Sequence, residues 1–330
     1  MTRQTMRLTR RTVLAASALA ALQPAFAQTP AYPSRPVRWL VGYPPCGGTD
    51  TIARIVTKAR GELAGQNFLV DNKPGASANI AGFELTRAPA DGYTVMSADN
   101  GLLVFNPVMY KKMGFAPSKD MKPAGLLARL HLLIAVPPNH PANNYRELVA
   151  WIKEQKNGVQ YAASSVGSPL HLAMARLAAE SKLNLTHVPY KGAAPAIQDF
   201  LSGQVNLICN DYSSAAAHVK AGKMKVLAVI SGKRVSALPN VPTVSEAGGP
   251  PNFEAYAWQG MVVPAGTPDA VIGQFNELLN RALNQKEVVD KLNELGVEAT
   301  PSTPAQMAGF WAKESDIWQP LIRQLDISMD

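Results

Sequence analysis

Cysteine is nearly missing from this 330-residue chain, which has only Cys46 and Cys209. Two thiols cannot build the disulfide framework on which small secreted folds depend. One bond between them stays open, because pairing requires a narrow Cα separation that sequence cannot show. Long apolar runs are also lacking. The best candidate, Val13 to Leu22, is about half of the roughly 20 residues a bilayer span needs, so the mature chain is expected to be soluble. None of the histidines (His131, His140, His171, His187 and His218) stands in an HExxH pair or near a cysteine, which argues against zinc. Dinucleotide and P-loop glycine fingerprints are absent, as is the GxSxG elbow of serine hydrolases. No basic run carries interleaved aromatics, so nucleic acid is not an expected partner.

The first residues read as an export signal. Arg3, Arg7, Arg10 and Arg11 make a positive start without an acid, the apolar run follows, and Ala25-Phe26-Ala27 has the small-x-small form of a cleavage site. Residues 1–27 are therefore expected to be removed after Ala27, by the Sec route or, given Arg10-Arg11, the twin-arginine route. Their loss takes the formal net charge from +8 to +4, a mild bias that favours anionic solutes. The expected location is the periplasm.

What remains, about 300 residues and 47% apolar overall, exceeds what one core usually covers. Short apolar strands alternate with amphipathic helices, the pattern of an α/β fold with a covered, mostly parallel sheet. A first unit runs from the strand at Val37 to Tyr43 through a helix at Thr51 to Leu63 to a strand at Tyr93 to Ser97. A second starts near Leu132 and repeats the pattern. The reading is two lobes joined by a two-strand hinge, with crossings near Leu132 to Val136 and Tyr256 to Val263. Residues 28–132 and 256–330 form lobe 1, and 133–255 form lobe 2.

Two loops could hold an anion. Tyr43 to Ala53 (YPPCGGTDTIA) and Ala163 to Ala173 (ASSVGSPLHLA) each place a glycine-bearing turn between a strand end and a helix start. Glycine lets backbone approach a ligand, and the N–H groups of a helix start carry roughly half a positive charge. A carboxylate held between two such ends, one per lobe, would keep the cleft shut. Ligands of α/β sheets also favour the carboxyl ends of strands, where both loops lie. The candidates are Tyr43, Pro44, Cys46, Gly47, Gly48, Thr49 and Asp50 in the first loop, with Asp50 turned toward its own helix. The second loop contributes Ser164, Ser165, Gly167, Ser168 and His171. Other strand-end or loop candidates are Asn79, Ser97, Asn100, Tyr190, Lys191 and Asp211; Asp99 and Asn210 share that position, and Trp258 could wall the cleft.

These segments resemble the tripartite tricarboxylate transporter receptors, the TctC or Bug family of periplasmic binding proteins. The resemblance covers nearly the whole mature chain, from about Tyr32, and rests on YPSRPVRWLVGYPPCGGTDTIAR, VDNKPGASANIAG, PADGYTVM, VPYKGAAPAIQDFLSGQVNL, KVLAVISGKRVSALPNVPTVSEAG and VPAGTP in that order. It implies a two-lobed type II periplasmic-binding fold. It also implies non-catalytic capture of a carboxylate, whether a di- or tricarboxylate, an amino acid or an aromatic acid. One carboxylate would lie between Tyr43 to Asp50 and Ser164 to His171. Cys46 and the sequence SSVGSPLH depart from the forms usual in that family. The implied partner is a two-subunit membrane permease or, alternatively, a signalling protein such as a sensor kinase. The chain itself is expected to be a monomer without metal or cofactor. The rival reading is an exported serine hydrolase using Ser164, Ser165 or Ser168 with His171, for which no base and orienter are evident from spacing.

Overall fold

The computed structural model describes residues 32–45 and 47–329; the proposed signal and Cys46 lie outside them. The chain begins with strand β1 (Val37–Val41), helix α1 (Gly48–Ala64), β2 (Phe68–Asn72), α2 (Asn79–Thr86) and β3 (Thr94–Asp99). A π-helical turn (Gly101–Phe105) and the short α3 (Asn106–Met109) and α4 (Pro117–Asp120) lead to the long β4 (Met121–Val136). Then come α5 (Tyr145–Glu154), β5 (Val159–Ser164), α6 (Pro169–Ser181), β6 (Leu185–Tyr190), α7 (Ala193–Leu201), β7 (Ile208–Asp211), α8 (Tyr212–Lys220) and β8 (Lys225–Val229). The chain closes with β9 (Tyr256–Pro264), α9 (Asp269–Leu283), α10 (Lys286–Glu294), β10 (Val297–Ala299) and α11 (Pro304–Gln324).

Strand order explains the two lobes. β1 pairs in parallel with β2 and β3, and β5 in parallel with β6 and β7, so each set places its following helix starts at one edge. β4 belongs to both. From Met121 to His131 it pairs antiparallel with β9, and from Leu132 to Val136 it pairs with β7 and β8. The partner change falls between His131 and Leu132. β9 instead stays beside β3 and the first part of β4 throughout, so it does not cross as expected. The return path lies just before it, where the Ala255 amide donates to the Ile230 carbonyl at 3.3 Å and the Ile230 amide to Leu132 at 2.8 Å.

Apolar burial follows this division on one side. Val37, Trp39, Ile52, Val56, Phe275 and Leu279 fill a core between α1, α9 and the first sheet, whereas Leu133, Ile197, Phe200, Ile208 and Tyr212 fill one in the second. On the other side a single core runs past both sets, from Leu40 and Met96 through Ile134 and Tyr161 to Trp318. α11 seals it and touches both halves: Trp318 receives the Arg176 guanidinium of α6 over its ring at 5.5 Å, while Trp311 Nε1 donates to the Leu103 carbonyl at 2.9 Å. Burying a large aromatic contributes roughly 1.5–3 kcal/mol, so α11 clamps the back of the molecule while the helix starts line the front.

Candidate functional site

Between the lobes lies a cavity of about 370 Å³. Its first wall is built from Tyr43, Gly48, Thr49, Asp99 and Asn100. Its second is built from Ser164, Pro169, Leu170, Gly192, Ala193 and the segment Asn210, Asp211, Ser213 and Ser214. Leu130, Ala257, Trp258 and Gln259 of the central strands form the floor. No lysine, arginine or histidine lines it among the described residues. Among its lining groups, the backbone amides of the helix starts are what can answer an anion.

The starts of α1, α6, α7 and α8 all reach this cavity, and they differ in how their first amides are satisfied. α6 is capped by its own chain: Ser168 Oγ accepts from the His171 amide at 3.2 Å, and Pro169 has no N–H to satisfy. α8 is capped by Asp211, whose carboxylate accepts from the Ser214 amide at 2.9 Å and from the Ser213 and Ser214 hydroxyls. α1 starts after Gly47 and α7 after Gly192, and no described side chain caps either. Gly192 sits at φ 109°, a conformation that glycine alone adopts without strain. The amides of Gly48 and Thr49 in one lobe, and of Ala193 in the other, are thus suited to an anion.

The side chains sort as follows. Tyr43, Gly48, Thr49, Asn100, Ser164 and Asp211 line the cavity. Pro44 and Gly47 are exposed beside it, and Cys46 lies outside the described residues. Asp50 is buried and turned inward, accepting from Asn72 Nδ2 and Arg54 Nε at 2.9 Å each. Ser97 is in the core, where Trp39 Nε1 donates to its hydroxyl at 2.6 Å. Asn79 is buried against Asn106 at 2.8 Å.

The second loop is held from within. Ser165 is exposed, and the Gly167 amide donates to His171 Nδ1 at 3.1 Å. His171 stacks on His187 with centroids 4.2 Å apart, and burial, aided by its neighbour's charge, drives its pKa down to about 4. An imidazole that accepts from an amide and stays neutral braces a loop. Tyr190 donates to Asp199 at 2.9 Å, and Lys191 is exposed. Sequence reasoning did not single out the α7 start, although Gly192 in KGAAP, a glycine three residues before a proline, was its signal.

On the first wall Tyr43 donates to Asp99, which also accepts from the Leu102 amide at 2.9 Å and so caps the π-helical turn. Burial lifts the proton affinity of both groups, against the pull of these hydrogen bonds on Asp99. Gln259 Nε2 donates to Thr49 Oγ1 at 3.0 Å, leaving the Thr49 hydroxyl proton to point elsewhere. Below, Trp258 Nε1 and Trp318 Nε1 both donate to Glu314 Oε2, at 2.8 and 3.1 Å, fixing the floor to α11. Cys209 is a buried free thiol whose pKa burial pushes up.

The sequence model described as the tripartite tricarboxylate transporter family receptor, TctC, matches residues 52–327. The chain belongs to this receptor family. The receptor is 30% identical over 299 residues to the protein BugT of Bordetella pertussis, covering 89% of this chain and 90% of that one. Among solved structures it resembles Rpa4515 of R. palustris, determined with adipate, at TM-score 0.79 and 30% identity over 90% of this chain and 99% of that one. It also resembles MatC of Rhodopseudomonas palustris, determined with malate, at TM-score 0.74 and 28% identity over 88% and 100%. The receptor therefore has the two-lobed periplasmic binding protein fold, as its sequence blocks imply.

Proposed function

We propose that this receptor is exported to the periplasm, captures a small carboxylate in the cavity between its lobes without chemically altering it, and hands it to a two-subunit membrane permease. One observation carries the reading: among the described residues, two helix starts on opposite walls, those of α1 and α7, are glycine turns without a side-chain cap, in a cavity that no cationic side chain lines. A carboxylate there would act as the missing cap for both lobes at once. Charge-assisted hydrogen bonds of this kind contribute roughly 1.5–3 kcal/mol each, and four or five of them account for a micromolar affinity, about −8 kcal/mol, after the cost of association. The relatives solved with adipate and malate support a carboxylate as the solute.

The bound carboxylate lies against the amides of Gly48, Thr49 and Ala193, with the Thr49 hydroxyl as a further donor. In this reading the first lobe moves as one body and the second as the other, about the partner change in β4. The test is calorimetry and thermal shift on a panel of acids and their amides or methyl esters, together with mass spectrometry of the acid released from natively purified protein. Binding of an acid but not its amide, with the acid recovered unchanged, is the expected result. Equal stabilisation by acid and amide refutes the anion site, and turnover refutes a receptor without catalysis.

A further inference from the structure

Apart from its helix starts, the cavity offers mainly hydrogen-bond acceptors and negative charge. Asn100 and Asn210 face it from opposite walls and are each only 1% exposed. Asn100 gives its Nδ2 to the Tyr256 carbonyl at 2.9 Å, leaving Oδ1 without a partner among the described residues. Asn210 accepts from the Asp211 amide through Oδ1 at 2.9 Å, leaving Nδ2 without one. Both amide orientations are fixed by backbone, since a carbonyl only accepts and an N–H only donates. Next to each asparagine in sequence stands an aspartate that also lines the cavity, Asp99 and Asp211.

A buried polar atom left unsatisfied destabilises the site. A ligand relieves that cost only if its groups are of the opposite kind. A carboxylate on the α1 and α7 starts can also accept from Asn210 Nδ2. Asn100 Oδ1 requires a donor. A second ionised carboxylate has none to give, and it would enter a cavity lined by Asp99 and Asp211 and, among the described residues, by no side-chain cation to answer it.

We propose that the cavity selects a carboxylate whose far end is a hydrogen-bond donor, an ammonium or a hydroxyl, over the dicarboxylate of equal length. Asn100 Oδ1 receives that donor, while the Asp211 carboxylate, joined by Asp99 to the extent that burial leaves it ionised, excludes the second negative charge. This rests on the carboxylate reading of the cleft given above. It sets this receptor apart in ligand charge from the relatives solved with adipate and malate.

The test is calorimetry at neutral pH with matched probes. Linear dicarboxylates are compared with the amino-ended and hydroxyl-ended acids of the same chain length, and terephthalate with para-aminobenzoate and para-hydroxybenzoate. In the set that fits the cavity, a donor-ended acid should bind at least about tenfold more tightly than its dicarboxylate. Asp211→Asn, which keeps a residue that caps helices well, should narrow that gap severalfold, and Asp99→Asn provides the same readout at the other wall. A dicarboxylate that equals or beats its donor-ended counterparts in wild type overturns the proposal, as does a gap that neither variant changes while both stay folded. If no acid of any kind binds, the carboxylate reading itself falls, an outcome distinct from a reversed preference.

Discussion

Placing a phenylalanine at Gly48 separates binding from folding. Gly48 is the first residue of α1 and lines the cavity, and a Cβ built there meets no heavy atom within 4 Å. The side chain is thus free to project over the amides of Gly48 and Thr49. Blocking two charge-assisted bonds of roughly 1.5–3 kcal/mol each removes about 3–6 kcal/mol of binding, or about 10²- to 10⁴-fold in Kd. Stability should hold, since replacing glycine in a helix costs nothing in propensity and gains up to about 1 kcal/mol. Gly42→Phe is the contrasting control: a Cβ at Gly42 would stand 2.3 Å from the Ala78 Cβ, inside the core, so that variant should lose its fold. The assays are calorimetry with the best acid of the panel and thermal denaturation of each protein. Gly48→Phe with an affinity within threefold of wild type refutes the role of the α1 amides. Binding lost only together with the melting transition refutes the steric reasoning.

The stacked imidazoles of His171 and His187 predict acid sensitivity. The folded His171 pKa, about 4, lies below the 6.5 of an unperturbed imidazole, so the unfolded chain takes up the proton first, and stability present above pH 6.5 is lost as pH falls toward 4. Protonation of the folded chain, which sets in only as pH approaches 4, also ends the bond from the Gly167 amide, so affinity should hold through the stability loss and decline near pH 4, and His171→Gln should flatten both curves; pH-independent melting of wild type would contradict this. Arg60 is fully buried among Trp39, Phe68 and Phe275, with its guanidinium 3.8 Å from the last ring centroid and, among the described residues, a single hydrogen bond, to the Phe275 carbonyl. Burial lowers its pKa to about 9, the mark of a charge that costs energy to bury, so Arg60→Met should melt no lower than wild type. A clear fall in Tm would mean that the ring contacts outweigh that cost.

Much of the fold was legible because its helices carry strong periodicity and its strands are short apolar runs. The spacing predicts a helix over Thr51 to Leu63, and α1 runs from Gly48 to Ala64. The first part of β4 hid because Pro123 and Gly125 interrupt its alternation, and the strand shifts register there and again between Leu126 and Ala128. α8 hid for a different reason. β7 runs into it through Asp211 without the loop that usually marks a boundary, so Asn210 and Asp211, which read as residues just past a strand, are the last residues of β7, and Asp211 is also the cap of α8.

The cavity was legible where it follows chain order and illegible where it depends on pairing. Tyr43, Gly48 and Thr49 follow β1 and Ser164 ends β5, and the rule that ligands sit at strand ends finds them. Leu130, Ala257 and Gln259 lie inside strands, and what brings them to the floor is the register of β4 on β9, in which Leu130 faces Ala257. The subtler distinction concerns helix starts. Ser168 and Asp211 supply the oxygen their helices need, whereas Gly47 and Gly192 supply none. A strong cap residue marks a helix start that is already satisfied, and a glycine in its place marks one that must be satisfied from outside. Sequence reading favours the first kind because caps are the usual signal of a helix. That preference drew it to Ser168 and past Gly192, the position from which the second lobe has amides to offer an anion.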